Sequence, residues 1–273
     1  MANLFAVMAQ KIFFPGTKVK PKNSWVESLR SCGMLTNFSV VRDNATISAV
    51  RVSCGNLPKA VAILGHPISR KGKYFYSDGS RISAYLRNSC DVVLFDFNGF
   101  GESDRIDLRY WKDAQAVVKY VKSEDESGPI ILHGASFGAF HILRAYKDLP
   151  DCSAVILENM SRSLFDYWKR WPHTRILVRL LQSFPFLAIR EMEVVQQLSN
   201  WSRPEIPIHG IACEKDLFTP ANEMLEAINK HKGKHNFAML MGAGHLEGPK
   251  HQHEAYLQIL SSIIQSLGVP NET

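Results

Sequence analysis

A serine stands between two glycines in the stretch GASFG at 134–138, where the apolar run PIILH ends and the segment AFHILRAY begins. Gly-x-Ser-x-Gly at the junction of a strand and a helix is the spacing of a nucleophile elbow, a turn so tight that the residues two before and two after the serine must lack side chains. A serine at that apex sits in a strained backbone conformation, and the helix behind it aims N–H groups and the positive end of its dipole at any anion formed there. Ser136 is the candidate nucleophile. The competing reading is a turn made for packing alone, in which Gly134 and Gly138 only let a strand meet a helix.

A serine hydroxyl attacks well only when an imidazole within hydrogen-bond reach takes its proton, and a buried carboxylate must fix the tautomer of that imidazole and stabilise its cation. The chain offers ten histidines. His133, directly before the elbow, is expected in or beside the core. His245, His251 and His253 could suggest a metal, but i, i+2 spacing on a helix sends the last two side chains to different faces, so no metal is expected, and a serine activated by an imidazole implies no organic cofactor.

These groups need a scaffold, and the sequence supplies one by alternation. Short apolar runs at 38–43, 46–53, 60–65, 92–97, 129–134, 154–159, 206–212 and 236–241 read as strands. Helical patterns lie between them at about 79–88, 109–122, 137–147, 220–231 and 250–266. That alternation predicts an α/β fold with a mostly parallel eight-stranded sheet flanked by helices. The first two runs mix polar and apolar residues, as an edge pair with one wet face would, and the other six read as strands buried on both faces. The rhythm breaks at 161–205, a stretch too long for one crossover helix and interrupted by Pro172 and Pro185, which predicts a small helical cap inserted after the sixth strand.

With 273 residues, 45% of them hydrophobic and 21% charged, the chain reads as one globular domain, 1–273, carrying that insertion. A net charge of +6 would suit acidic partners, yet the basic residues are dispersed. The densest cluster, NKHKGKH at 229–235, lacks interleaved aromatics and zinc spacing, which argues against nucleic acid as a partner. Five scattered cysteines without Cys-x-x-Cys spacing read as reduced thiols. The start MANLFAVMAQKIFFPG has no basic region ahead of its apolar residues and falls short of a membrane span. The expectation is a cytoplasmic protein, with peripheral membrane contact through the cap left open and the oligomeric state unassigned.

From about residue 38 onward the chain resembles the α/β-hydrolase superfamily, and within it the serine-aminopeptidase-like and Bem-type hydrolases. Beside GASFG, the resemblance rests on GHPIS (65–69), similar to the His-Gly segment of the oxyanion loop, and on DFNGFGESD (96–104), similar to the Asp-x-x-Gly-x-Gly-x-Ser turn. Further along, GIACEKDLFTP (210–220) resembles the segment that carries the acid, and GAGHLEG (242–248) the loop that carries the histidine. The resemblance implies Ser136, Asp216 and His245 as nucleophile, acid and base, in the chain order of that superfamily. It implies an oxyanion hole made by the N–H of Phe137 and, because Pro67 stands where glycine is usual and has no N–H, that of Ile68. Glu158, at the end of the sixth strand, is the alternative acid. His66 then reads as a structural hydrogen-bonding residue, and Asp96 and Asp104 as organisers of their turn.

The implied activity is hydrolysis of a small-molecule carboxylic ester or thioester through an acyl-enzyme. The alternatives are an acyltransferase or peptidase using the same triad, and a non-catalytic binding module on a hydrolase scaffold. The cap residues Trp168, Trp171, Phe184, Phe186 and Leu187 read either as plain packing or as an apolar mouth for an acyl chain. In the second reading Lys169, Arg170, Arg175 and Arg179 could meet a phosphate or a membrane surface.

Overall fold

A computed structural model describes residues 24–124, 128–149, 152–163 and 203–267, together with the single positions 7, 8, 11, 168, 175, 176 and 198. Eight strands form one sheet: β1 (Leu35–Arg42), β2 (Ala45–Val52), β3 (Ala60–Gly65), β4 (Cys90–Phe95), β5 (Ile130–Ala135), β6 (Cys152–Glu158), β7 (Ile208–Cys213) and β8 (His235–Leu240). Their spatial order is β1-β2-β4-β3-β5-β6-β7-β8. The β1–β2 and β2–β4 pairs are antiparallel and the rest parallel. Asp43 and Asn44 close the β1–β2 hairpin with φ of 49° and 64°, the two-residue turn that matches strand twist and favours Asp and Asn.

Helices cover both faces. On one side lie α3 (Tyr110–Glu124), α4 (Phe137–Tyr146) and α5 (Ala221–Ile228), whose apolar residues share a core with Ile63, Phe95, Leu132 and Val155. On the other lie α1 (Ser24–Ser31), α2 (Ser80–Leu86) and α7 (His253–Ser266), packed on Ala62, Leu64, Val92 and Ile211. Burial of both faces explains the largely apolar runs of β3 to β7, every residue of which is buried except the half-buried Ser153.

Two expectations are corrected. β8 is not buried on both faces: it is the sheet's edge, and only Leu240 is buried. Met239 within it and Met241 just past its end are exposed, and among the described residues no further strand pairs with it. The last helix is two, α6 (Gly248–His251) and α7, separated at Gln252, whose φ of −126° is not helical. Two elements escaped the sequence reading altogether, α1 and a 3₁₀ segment at Gly72–Asp78. The cap expected at 161–205 lies almost wholly outside the described residues. Within it, Trp168 and Leu198 are buried, and Arg175 and Ile176 are exposed.

The sheet order places the site. β3 lies at the centre, with β4 on one side and β5 on the other, so the chain diverges there and opens a crevice beyond the strand ends. Gly65 and Gly134 are register partners, which sets the loop after β3 beside the turn after β5. A Cβ on Gly138 would lie 2.1 Å from the Gly65 carbonyl oxygen, and one on Gly134 would lie 2.5 Å from the Ala139 Cα. Neither backbone can yield, so both glycines are demanded by contact.

Candidate active site

Ser136 sits between β5 and α4 with φ 51° and ψ −115°, a conformation that a non-glycine residue adopts only when its surroundings enforce it. Its N–H donates to the Glu158 carbonyl at 2.8 Å, and its own carbonyl accepts from Ala139 N–H at 2.9 Å. The side chain is therefore turned out of the helix line, and Ser136 Oγ lies 3.1 Å from His245 Nε2.

His245 rises from the loop between β8 and α6. Its Nδ1 is 2.7 Å from Asp216 Oδ2. A carboxylate can only accept, so the imidazole proton is on Nδ1 and the bare Nε2 faces the serine hydroxyl, which donates to it. Asp216, buried after β7, accepts from the N–H groups of Phe218 and Thr219 at 2.8 and 2.9 Å, from Asn159 Nδ2 at 2.6 Å and from the Thr219 hydroxyl. Burial alone would raise its carboxyl, but the hydrogen bond from His245, the charge that imidazole carries once protonated, and the Thr219 donors outweigh that and hold it below the usual aspartate range. Asn159 and Thr219 were not anticipated. Thr219 stands in the segment that drew attention to Asp216, whereas Asn159 lies 57 residues away, where the run AVILEN marks a strand end and not a partner of Asp216.

The structure brings Asp216, and not Glu158, to His245. Glu158 is fully buried and engaged elsewhere: Arg81 Nε and Nη2 donate to its two oxygens at 2.9 and 2.5 Å, and His133 Nε2 donates at 3.2 Å. Burial would raise its carboxyl too, but the charge of Arg81 and the donors of His133 and Arg81 bring it down to about 2. The sign follows directly. A carboxyl whose folded value lies below its ordinary 4.5 gives stability that is complete above that pH and fades as pH falls toward 2. Urea unfolding of Glu158→Gln should show lower stability than wild type at pH 7, with the gap narrowing between pH 4.5 and 2; a gap of constant size would show that the carboxylate is not the group titrating.

The remaining sequence candidates take supporting places. His66 is fully buried. Its Nδ1–H donates to the Pro67 carbonyl at 2.6 Å and its Nε2 accepts from Phe97 N–H at 3.2 Å, and burial keeps the ring neutral by lowering its pKa. It thereby braces the loop that carries Ile68 against the loop after β4. Asp96 accepts from the N–H groups of Lys73 and Glu102 at 2.6 and 2.9 Å and from Lys73 Nζ at 2.7 Å, and Asp104 accepts from Thr46 N–H at 2.8 Å. Lys73 is buried with Glu102 as a second partner. A lysine in the polar stretch SRKGK gave no hint of that.

A cavity of about 410 Å³ opens over Ser136 and His245. Pro67, Ile68, Phe75 and Leu246 give it apolar wall, and Asp78, Glu247, Lys250 and His251 give it a polar one. Ile68 thus reaches the same space as Ser136, and Phe137 opens α4 directly after the serine. Phe218, whose ring lies 5.5 Å from that of His245, is 40% exposed, and Leu217 beside it is 86% exposed. Among the described residues there is no group of three His, Cys, Asp or Glu side chains that could hold a metal ion, and no helix long and apolar enough to cross a membrane. All five cysteines are free thiols, and Cys90, Cys152 and Cys213 are buried.

No family model matches the sequence, and no curated protein matches it. Solved structures do. The Pyrococcus furiosus esterase Pf2001 superposes with a TM-score of 0.71 at 15% identity, over 92% of this chain and 97% of that one. The α/β hydrolase GrgF from a Penicillium species gives 0.61 at 15% identity, over 85% and 98% of the two chains. A thermophilic esterase from Thermogutta terrifontis gives 0.58 at 16% identity, over 85% and 99%. Likeness at such low identity bears on the course of the backbone.

Proposed function

We propose that this chain, which has the α/β-hydrolase fold, is a serine hydrolase that cleaves small-molecule carboxylic esters or thioesters through an acyl-enzyme. The observation that carries the proposal is the relay at the cavity floor, with Ser136 Oγ 3.1 Å from His245 Nε2 and Asp216 Oδ2 2.7 Å from His245 Nδ1. The esterases among the similar folds agree with it at the level of reaction class.

In this reading Ser136 Oγ attacks the acyl carbonyl as its proton passes to His245 Nε2. The tetrahedral oxyanion is met by the N–H groups of Phe137 and Ile68. As the carbon–oxygen or carbon–sulfur bond breaks, His245 returns the proton to the leaving alcohol or thiol. Water then gives a proton to His245, attacks the acyl-enzyme and releases the acid, with Ser136 reprotonated. Asp216 holds the imidazole in the needed tautomer and stabilises its cation.

A fluorophosphonate probe tests the nucleophile. Wild-type protein should label and Ser136→Ala should not, and equal labelling of the two, or none of the wild type, would sink the reading. The same preparations assayed on p-nitrophenyl esters should give turnover that follows the labelling.

A further inference from the structure

Two adjacent residues at the carboxyl end of β6, Glu158 and Asn159, connect to every member of the relay. The Glu158 carbonyl accepts from Ser136 N–H at 2.8 Å. The Asn159 side chain donates to Asp216 Oδ2 at 2.6 Å, and its backbone N–H donates to the Ile211 carbonyl at 2.9 Å, locking the pair to β7. The connection to His245 runs through Arg81. That residue, on α2, grips both Glu158 oxygens, and the Nη2 that donates to Oε1 also donates to the Leu246 carbonyl at 2.9 Å.

Leu246 directly follows His245 and has φ 61°, Asn159 has φ 49° and Ser136 φ 51°. Three non-glycine residues in the left-handed region, each in the relay or next to it, need a surrounding that over-determines them. Arg81 is 1% exposed, and its guanidinium lies 5.6 and 5.7 Å from the ring centroids of Phe75 and Tyr76. Phe75 lines the cavity, and the Tyr76 hydroxyl donates to the Gly65 carbonyl at 2.8 Å, at the root of the loop that carries Ile68. A buried ion pair is often no more stabilising than apolar side chains of the same volume. Bulk stability is therefore a poor account of why a full guanidinium–carboxylate pair is spent here.

We propose that Arg81 is a positioning residue for His245: seated bidentately on Glu158, it holds the Leu246 carbonyl and so fixes the backbone from which the imidazole projects. Nucleophile, acid and base are then all referenced to one dipeptide of β6. Arg81 touches no reacting atom, and its part in catalysis rests on the reading of His245 as the base.

The test replaces the pair by apolar residues of similar length in Arg81→Met/Glu158→Met, so that no charge is left buried alone, and compares it with Arg81→Lys. Heat unfolding and circular dichroism check the fold. Two readouts follow: the rate of fluorophosphonate labelling, with kcat and KM on a p-nitrophenyl ester, and the ring ¹H–¹⁵N NMR signals of His245. A displaced imidazole should slow labelling and kcat by about 10–100-fold with KM unchanged, and should shift or broaden the His245 signals. Arg81→Lys should lose less, because Nζ can reach the carboxylate or the carbonyl but cannot fork to both. A folded double variant with wild-type labelling rate and wild-type His245 signals overturns the proposal. If the double variant does not fold, wild-type behaviour of Arg81→Lys in both readouts overturns it equally. Absence of labelling in the wild type would refute the reading of Ser136 alone, and the His245 signals would still decide the role of Arg81.

Discussion

Ser136→Ala and His245→Ala are each expected to lower kcat on an activated ester by about 10⁶-fold, and the double variant by no more than either. The reason, in the proposed reaction, is that the two side chains act as one unit. With Oγ 3.1 Å from Nε2, the hydroxyl is nucleophilic only while the imidazole takes its proton, and the imidazole has nothing to activate once the hydroxyl is gone. On that reading all three variants should keep the same residual catalysis, from the N–H groups proposed to face the oxyanion and from binding in the cavity. Fold should be preserved: Ser136 is held by backbone hydrogen bonds to Glu158 and Ala139, and His245 is only part-buried. Single-turnover kinetics on the three proteins, each checked for contaminating esterase by a mock preparation, give the comparison. Additive losses, with the double variant far below either single one, would mean that Ser136 and His245 do not share a step.

How much of this the sequence disclosed depends on the range over which each feature is specified. Five strands are legible because a strand buried on both faces must be largely apolar, and β1 and β2 because one wet face leaves an alternating pattern. β8 has the look of those five, but whether a strand pairs on one side or two is decided by the sheet order, which no local pattern carries. Ser136 is legible because its turn forces glycines at fixed short distances. Gly138 comes within 2.1 Å of the Gly65 backbone once a Cβ is added, a constraint written into the residue type itself. Arg81 and Lys73 were invisible for the opposite reason. Each sits in a stretch whose polarity suits the surface, and each is buried by a carboxylate distant in the chain, Arg81 by one 77 residues away. Glu158 marks the boundary between the two cases: its position at a strand end was legible, and its role was not, because the role is set by the partner that reaches it.

Asp216→Asn should lower kcat by about 10⁴-fold while the protein stays folded, and Glu158→Gln should not reach that loss. Asparagine is close to aspartate in shape, and its oxygen can still accept from the Phe218 and Thr219 N–H groups that Asp216 Oδ1 now serves. The atom 2.7 Å from His245 Nδ1 would become an NH₂ donor. To meet a donor the ring must present a bare Nδ1, which moves its proton to Nε2 and turns that nitrogen from acceptor to donor toward Ser136. The serine then has no base, and the cation formed during attack has no carboxylate beside it. The substitution also sets the new NH₂ against Asn159 Nδ2, so a modest fall in stability should accompany the loss of rate. Glu158→Gln acts elsewhere: it leaves the Asp216–His245 contact in place and weakens the seat of Arg81, so it should cost stability and, through Arg81, no more than the ~10–100-fold in kcat expected of a displaced imidazole. Measuring kcat and urea unfolding for both variants separates the two carboxylates. A 10⁴-fold loss in Glu158→Gln beside near-wild-type turnover in Asp216→Asn would reverse the assignment, and with it the geometry on which the proposed reaction rests.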